Sequence, residues 1–183
     1  MRLFTGLDLP AEVIQSLDRL IAQLRPTARI KWSPPANLHV TTRFIGEWPE
    51  SRLPELQAAL AALPGYPPIP IHVRNLGFFP NPHSPRVFWA AVEAAPDLAA
   101  LAAETDRALD PLGLPPEGRH FSPHLTLARI KEPVPLQSLR EAIAALPSLD
   151  FGSFTAASFF LYHSRPGPSG SVYTKLAEFP LSK

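Results

Sequence analysis

The chain has 183 residues, of which 45% are hydrophobic and 18% charged, a composition typical of a soluble globular protein. It contains no cysteine, which excludes disulfides, thiolate nucleophiles and zinc sites with thiolate ligands. A net charge of +1 is too small to indicate nucleic-acid binding by itself, so an anionic ligand would need a local cationic cluster. Neither a secretory signal nor an apolar run of about 18 residues is recognisable, and we expect a cytoplasmic protein without membrane association.

The predicted elements alternate between strand and helix twice over. Runs rich in Val, Ile, Phe, Thr and Tyr predict strands at 2–7, 38–45, 69–79, 86–93, 124–130, 153–162 and 171–179. Apolar residues at helical spacing predict amphipathic helices at 10–25, 51–63, 97–111 and 135–146. In chain order this gives β-α-β-α-β, the same order again, and one further strand.

The two halves also share short anchors. "RLF" at 2–4 matches "RVF" at 86–88, Pro10 matches Pro96, and His39 matches His124, at offsets of 84, 86 and 85 residues. This indicates a duplicated α+β fold with two similar lobes related by a pseudo-two-fold axis. The turn-like segment "PNPHSP" at 80–85 marks the junction. We expect one domain over 1–183, with lobes at roughly 1–80 and 86–183 that can exchange strands.

Two predicted strands carry the same H-x-T pattern. "NLHVTTRFIGE" contains His39 and Thr41, and "SPHLTLARI" contains His124 and Thr126. Side chains alternate across a strand, so each histidine shares a strand face with its threonine. One such pair is usually an ordinary solvated face. Two pairs at equivalent positions of a repeat, where this composition gives well under one by chance, favour a working site.

Two imidazoles facing one another suit displacement at phosphorus. In-line attack needs a base beside the entering oxygen and an acid beside the leaving oxygen, and histidines with a pKa of about 6.5 can supply both near neutral pH. The hydroxyls can donate to non-bridging oxygens, and an arginine can stabilise the growing charge. This scheme requires no metal or cofactor.

The motifs resemble the paired H-x-T signatures of the 2H phosphoesterase superfamily, specifically the RNA 2′,3′-cyclic phosphodiesterases, once described as bacterial and archaeal 2′-5′ RNA ligases. The likeness extends from "MRLFTGLDLP" through "KWSPPANLHVTTRFIGE" and "HFSPHLTLAR" to "FFLYHSRPGPSGSVYTKLAEFPL". It departs at Thr42, where the family usually has leucine, on the strand face expected to point away from the histidines.

The resemblance implies a bilobal α+β fold whose antiparallel sheets line a central cleft. It implies hydrolysis of 2′,3′-cyclic phosphates on RNA or nucleotides to 2′-phosphomonoesters, with weak, reversible 2′-5′ joining of tRNA halves. His39 and Thr41 would form one half-site, and His124 and Thr126 the other. We expect His39 to protonate the 3′ oxygen and His124 to activate water. Arg129 is predicted to contact the phosphate, which requires a β-bulge or a cleft-edge position, because simple alternation points it away from His124.

Other residues carry weaker expectations. By alternation, Arg43 shares the His39 face and could contact the RNA backbone, whereas Phe44 and Phe121 fit core packing better than base stacking. Tyr173 could approach the cleft. Two other functions remain open: a metallohydrolase with the two motif histidines as ligands, although no acidic residue accompanies them, and a non-catalytic RNA-end-binding module. No obligate protein partner is predicted.

Overall fold

The computed structural model describes residues 1–182, which form nine strands in two antiparallel sheets together with four α-helices. In chain order the strands are β1 (Arg2–Leu7), β2 (Lys31–Trp32), β3 (Val40–Glu47), β4 (Ile69–Phe79), β5 (Val87–Ala94), β6 (His124–Arg129), β7 (Asp150–Ala156), β8 (Ser158–Gly167) and β9 (Gly170–Pro180). The helices are α1 (Ala11–Leu24), α2 (Leu53–Ala61), α3 (Pro96–Leu109) and α4 (Gln137–Ala144).

Each sheet takes strands from both halves of the chain. The first sheet has the order β3-β1-β8-β9, and the second has the order β2-β6-β5-β4-β7. The predicted α+β class with antiparallel sheets is confirmed. The division into one domain over 1–183, whose last residue lies outside the described ones, stays a prediction.

The helices pack behind the sheets. Helix α1 contacts β7 and α4 at the second sheet, and α3 contacts β3 and α2 at the first. Leu17 and Ile21 lie on the apolar stripe of α1 and are fully buried, each contributing about 1.5–3 kcal/mol. Val13 lies over Gly152 of β7, where an added Cβ would approach its methyl group to 3.2 Å. This packing leaves the opposite sheet faces to the two motifs.

The structure differs from the predicted elements at three places. The two-residue strand β2 was not predicted, because so short a segment shows no alternation. The predicted strand at 153–162 is two strands, β7 and β8, that belong to different sheets. The first motif strand begins at Val40, because Pro35–Asn37 forms a turn of 3-10 helix and His39 immediately precedes the strand.

Both motif strands contain a β-bulge at the same position of the repeat. In the β1–β3 pair, Thr5 faces Arg43 and Gly6 faces Thr41, so Thr42 is the extra residue. In the β5–β6 pair, Phe88 faces Ala128 and Trp89 faces Thr126, so Leu127 is the extra residue.

Thr42 and Leu127 are 85 residues apart, like the two histidines, so the bulge is part of the duplication. Gly6 of β1 pairs with Thr41 and Trp89 of β5 pairs with Thr126, so Gly6 and Trp89 are equivalent positions of the repeat, at an offset of 83 residues. The letter match between "RLF" and "RVF" is therefore one residue out of structural register.

Candidate active site

His39 is held by two hydrogen bonds from its own motif. Its Nδ1 lies 2.8 Å from the carbonyl oxygen of Asn37, and its Nε2 lies 2.8 Å from the Oγ1 of Thr41. A carbonyl only accepts, so Nδ1 must carry the proton. In the neutral ring, Nε2 is then the unprotonated nitrogen and accepts from the Thr41 hydroxyl.

His124 is oriented by the same device. Its Nδ1 lies 2.8 Å from the carbonyl oxygen of Ser122, again the residue two positions earlier. The neutral His124 ring therefore also has its lone pair at Nε2. Thr126 shares the strand face of His124, and its carbonyl oxygen accepts a hydrogen bond of 2.9 Å from the Ser33 hydroxyl.

His39 lies among aromatic rings of the first sheet. Phe4 stacks on its ring with centroids 4.6 Å apart, and Tyr173 meets it edge-on at 5.1 Å. Burial lowers the pKa of His39; the Asn37 carbonyl opposes this, and the charges of His124 and Arg129 lower it further. Strands β3 and β6, which carry the two motifs, are in contact, so the two half-sites lie side by side, and the space in front of their motif faces is called the cleft.

The His124 half-site has its own aromatic wall. Phe79 of β4 meets the His124 ring edge-on at 5.2 Å and lies 5.0 Å from the ring of Trp89. The indole of Trp89 covers Gly77, where an added Cβ would lie 2.3 Å from the ring. Glycine at position 77 therefore makes room for the tryptophan beside Thr126.

Arg129 lies on the same face as His124 and Thr126. Arg129 is paired with Val87 and Thr126 with Trp89, two residues of β5 that share a face. The bulge at Leu127 causes this, because one extra residue reverses the alternation beyond it. Simple alternation predicted Arg129 on the face opposite His124, and this was wrong. The β-bulge that a phosphate contact by Arg129 requires is present at Leu127.

The bulge at Thr42 exchanges the predicted positions of Arg43 and Phe44. Arg43 is buried, with 7% exposure, and its guanidinium bonds the Asp106 carboxylate and the Pro115 carbonyl oxygen, the latter at 2.7 Å. Phe44 is 54% exposed, and its ring lies 6.2 Å from that of Phe4. The predicted backbone contact for Arg43 and core position for Phe44 were therefore both wrong.

Arg43 connects the first motif to the segment that leads into the second. Its guanidinium also lies 3.5 Å from Glu117, whose backbone N–H donates to Asp106 at 3.2 Å. Strand β3, helix α3 and the loop before His124 thus share one buried cation.

Two other aromatic residues, Phe121 and Tyr173, lie in different surroundings. Phe121 packs against the hydrophobic core, as predicted. Tyr173 approaches the cleft through its contact with His39.

Two aromatic residues of the first half-site were missed. Phe4 lies in β1 directly opposite Tyr162 of β8, and their rings stack at 4.9 Å. Burial and the nearby Asp8 raise the pKa of the Tyr162 hydroxyl, which has no hydrogen-bond partner among residues 1–182. Both residues lie far from the motifs in sequence, so only the strand pairing reveals them.

Within residues 1–182, no helix is both long enough and apolar enough to cross a bilayer. No group of three His, Cys, Asp or Glu side chains in this part of the chain could hold a metal ion.

Comparison with known proteins gives consistent matches over nearly the whole chain. A protein from Methanothermobacter thermautotrophicus named RNA 2′,3′-cyclic phosphodiesterase is 33% identical over 183 residues, covering 99% of both chains. A protein of the same name from Thermus thermophilus is 36% identical over 190 residues, covering 99% of this chain and 90% of its own.

Among solved structures, E. coli LigT complexed with 3′-AMP is 25% identical with a TM-score of 0.80, covering 100% of this chain and 98% of the E. coli chain. The family model described as LigT like Phosphoesterase matches twice, at residues 7–89 and 91–173. Each match contains one of the two H-x-T motifs. The chain belongs to the LigT-like phosphoesterase family.

Proposed function

We propose that this protein hydrolyses 2′,3′-cyclic phosphates at RNA ends or on nucleotides, leaving a 2′-phosphomonoester. The relatives named RNA 2′,3′-cyclic phosphodiesterase support this substrate class, and the E. coli relative was crystallised with a nucleotide. The observation that carries the proposal is the repeated carbonyl contact at His39 and His124, which leaves each neutral ring an unprotonated Nε2.

In the proposed mechanism the phosphorus lies between the two rings. His124 takes a proton from water as the water oxygen bonds to phosphorus, and His39 gives a proton to the 3′ oxygen as its bond to phosphorus breaks. Thr41 and Thr126 donate to non-bridging oxygens, and Arg129 stabilises the charge that develops on them. The 5′-hydroxyl of a second RNA in place of water gives the proposed weak 2′-5′ joining, and each step is reversible.

In this proposal the protonation of His39 depends on the substrate. The lowered pKa of His39 favours its neutral form in the free protein. A bound phosphate anion raises the pKa of a neighbouring imidazole, because opposite charge stabilises the cation. We propose that His39 is charged as an acid when the cyclic phosphate binds.

We further propose that the terminal base lies against the first sheet. Phe44 is more than half exposed and lies beside Phe4 on the cleft side. An exposed ring next to a phosphate site is a natural stacking surface for an unpaired base. Stacking of this kind tolerates all four bases.

A direct test uses a short RNA with a 2′,3′-cyclic phosphate end, incubated with the protein in excess chelator. We expect a 2′-phosphate product, and His39→Ala and His124→Ala should each lower kcat by roughly 10²–10⁴-fold. His83→Ala is the matched control, because His83 is an exposed histidine of the turn between β4 and β5.

Each other outcome points to a different conclusion. Intact substrate with measurable RNA binding would favour a non-catalytic end-binding module. Activity lost in chelator and restored by a divalent metal would favour a metallohydrolase. A 3′-phosphate product would show that the other ester bond breaks.

A further inference from the structure

Two cations lie side by side at one edge of the cleft. Lys31 of β2 is the register partner of Arg129 in β6. Directly opposite residues of an antiparallel pair share a sheet face. Since Arg129 lies on the face of His124 and Thr126, Lys31 lies there too.

The neighbouring tryptophan supports this orientation. Trp32 packs edge-on against the buried Phe88 at 5.9 Å, and its indole N–H donates to the Ala28 carbonyl oxygen at 3.2 Å. These contacts hold Trp32 on the helix side of the sheet. Because successive residues of a strand point to opposite faces, Lys31 is directed to the cleft side.

Both cations are exposed and free of carboxylates. Among residues 1–182, neither Lys31 nor Arg129 forms an ion pair, which is true of most Lys and Arg side chains there. These two differ from the others in being register partners on the motif face of the sheet. Two adjacent unneutralised charges repel one another unless an anion lies near them. Their arrangement therefore favours a ligand with phosphate groups at this edge.

The β2 edge is attached firmly to the second motif. Ser33 follows Lys31 by two residues and makes two hydrogen bonds to the backbone of β6. Its N–H donates to the Leu127 carbonyl oxygen at 2.8 Å, and its hydroxyl donates to the Thr126 carbonyl oxygen at 2.9 Å. Neighbouring strands are separated by about 4.8 Å, so Lys31 lies one strand further from the centre of the sheet than Arg129. A line from Thr126 through Arg129 to Lys31 leads outward from the reaction site.

We propose that Lys31 binds the phosphodiester on the 5′ side of the terminal nucleotide, so that an RNA chain leaves the cleft over the β2–β6 edge. This inference rests on the proposed function, in which Arg129 contacts the cyclic phosphate. A cyclic mononucleotide has no such 5′ phosphodiester, whereas every longer RNA has one. The preferred substrate is then an oligoribonucleotide.

The test compares two substrates, a nucleoside 2′,3′-cyclic phosphate and a dinucleotide with the same cyclic end. For Lys31→Ala we expect kcat/KM on the dinucleotide to fall roughly tenfold at low salt, because one charge-assisted contact is lost. On the mononucleotide, kcat/KM should stay unchanged. Lys31→Arg should retain activity on both. The matched control is Arg19→Ala, which removes one exposed cation from α1, behind the second sheet.

Binding separates this inference from the proposed reaction. For a short single-stranded RNA ending in a 2′-phosphate, Lys31→Ala should lower the slope of log affinity against log salt by about 0.7, the value for one phosphate contact. Equal losses on both substrates, or an unchanged dinucleotide rate and salt slope, would overturn the role of Lys31. If the wild-type protein hydrolyses neither substrate, the proposed function fails, and the salt slope still decides the inference.

Discussion

The two catalytic candidates receive the same backbone contact but different surroundings. A carbonyl two residues earlier fixes Nδ1–H in both His39 and His124. Only His39 also accepts from its own threonine and stacks on a phenylalanine, and its pKa is lowered. The two copies of the motif thus hold their imidazoles in different surroundings.

A substrate with sulfur in place of the 3′ oxygen identifies the acid. A thiol has a pKa of about 8.5, so a thiolate leaves without the proton that an alkoxide needs. If His39 is the acid, His39→Ala should regain most of the wild-type rate on the sulfur substrate, while His124→Ala stays impaired on both. Rescue of His124→Ala alone would reverse the two roles. The pH–rate profile cannot make this distinction, because its limbs belong to the pair.

Residue chemistry was easier to predict than residue orientation. The histidines and threonines were recognisable because H-x-T places both on one strand face. The Nδ1 contacts were not, since they depend on the backbone path of the residues before each motif, a turn of 3-10 helix before His39 and an irregular segment before His124. Phe44 and Arg129 each follow the extra residue of their bulge by two positions and are 85 residues apart. At this equivalent position the first half-site has an aromatic ring and the second has a cation.

At the scale of elements, the bulges decide which side chains reach the cleft. Perfect alternation would put Arg43 in the cleft and Phe44 in the core, and the extra residue Thr42 exchanges them. A bulge has no clear signature in one sequence, because its extra residue need not be glycine. Strand β2 escaped prediction for a related reason, since its two residues depend on pairing with β6.

The Thr42 hydroxyl forms a buried pair with Thr5. Their Oγ1 atoms are 2.7 Å apart, and the two side chains are 5% and 0% exposed. Thr42→Val should lower the free energy of unfolding by about 1–3 kcal/mol, because it leaves the Thr5 hydroxyl buried without a partner. The double variant with Thr5→Val should recover much of this loss, because neither hydroxyl is then left unpaired.

Urea unfolding of the single and double variants gives the coupling energy. Additive losses would show that the two hydroxyls do not depend on each other. The rate on cyclic phosphate should change little in any of these variants, because both side chains point away from His39.

At the scale of the whole molecule, the repeat was visible in the sequence but its assembly was not. Element order and the paired motifs predicted two related lobes. Strand exchange depends on long-range pairing: β2 pairs with β6 and β4 with β7 in the second sheet, while β8 pairs with β1 in the first. This exchange brings Tyr162 and Tyr173, more than 120 residues after His39 in the sequence, into contact with its ring.

Burial of His39 makes the stability of the whole protein depend on pH. The pKa of His39 is lowered in the folded state, whereas an unfolded chain has the ordinary value of about 6.5. Below pH 6.5 the unfolded state therefore binds more protons, and the free energy of unfolding decreases. The stability that neutral His39 contributes is complete above about pH 6.5. It is lost as the pH falls through the pKa of His39 in the folded protein.

Urea unfolding at about pH 7.5, 6.5 and 5.5, on either side of the ordinary histidine pKa, measures this dependence in buffers without phosphate. His39→Gln should lose less stability than the wild-type protein between the upper and lower pH. His83→Gln should keep the wild-type dependence, because His83 is exposed. Protonation of carboxylates in acid destabilises all three proteins equally. The difference in pH dependence between the wild-type and His39→Gln proteins therefore comes from His39. Equal pH dependence of the His39→Gln and wild-type proteins would show that the enclosure of His39 by Phe4 and Tyr173 does not destabilise its charged form.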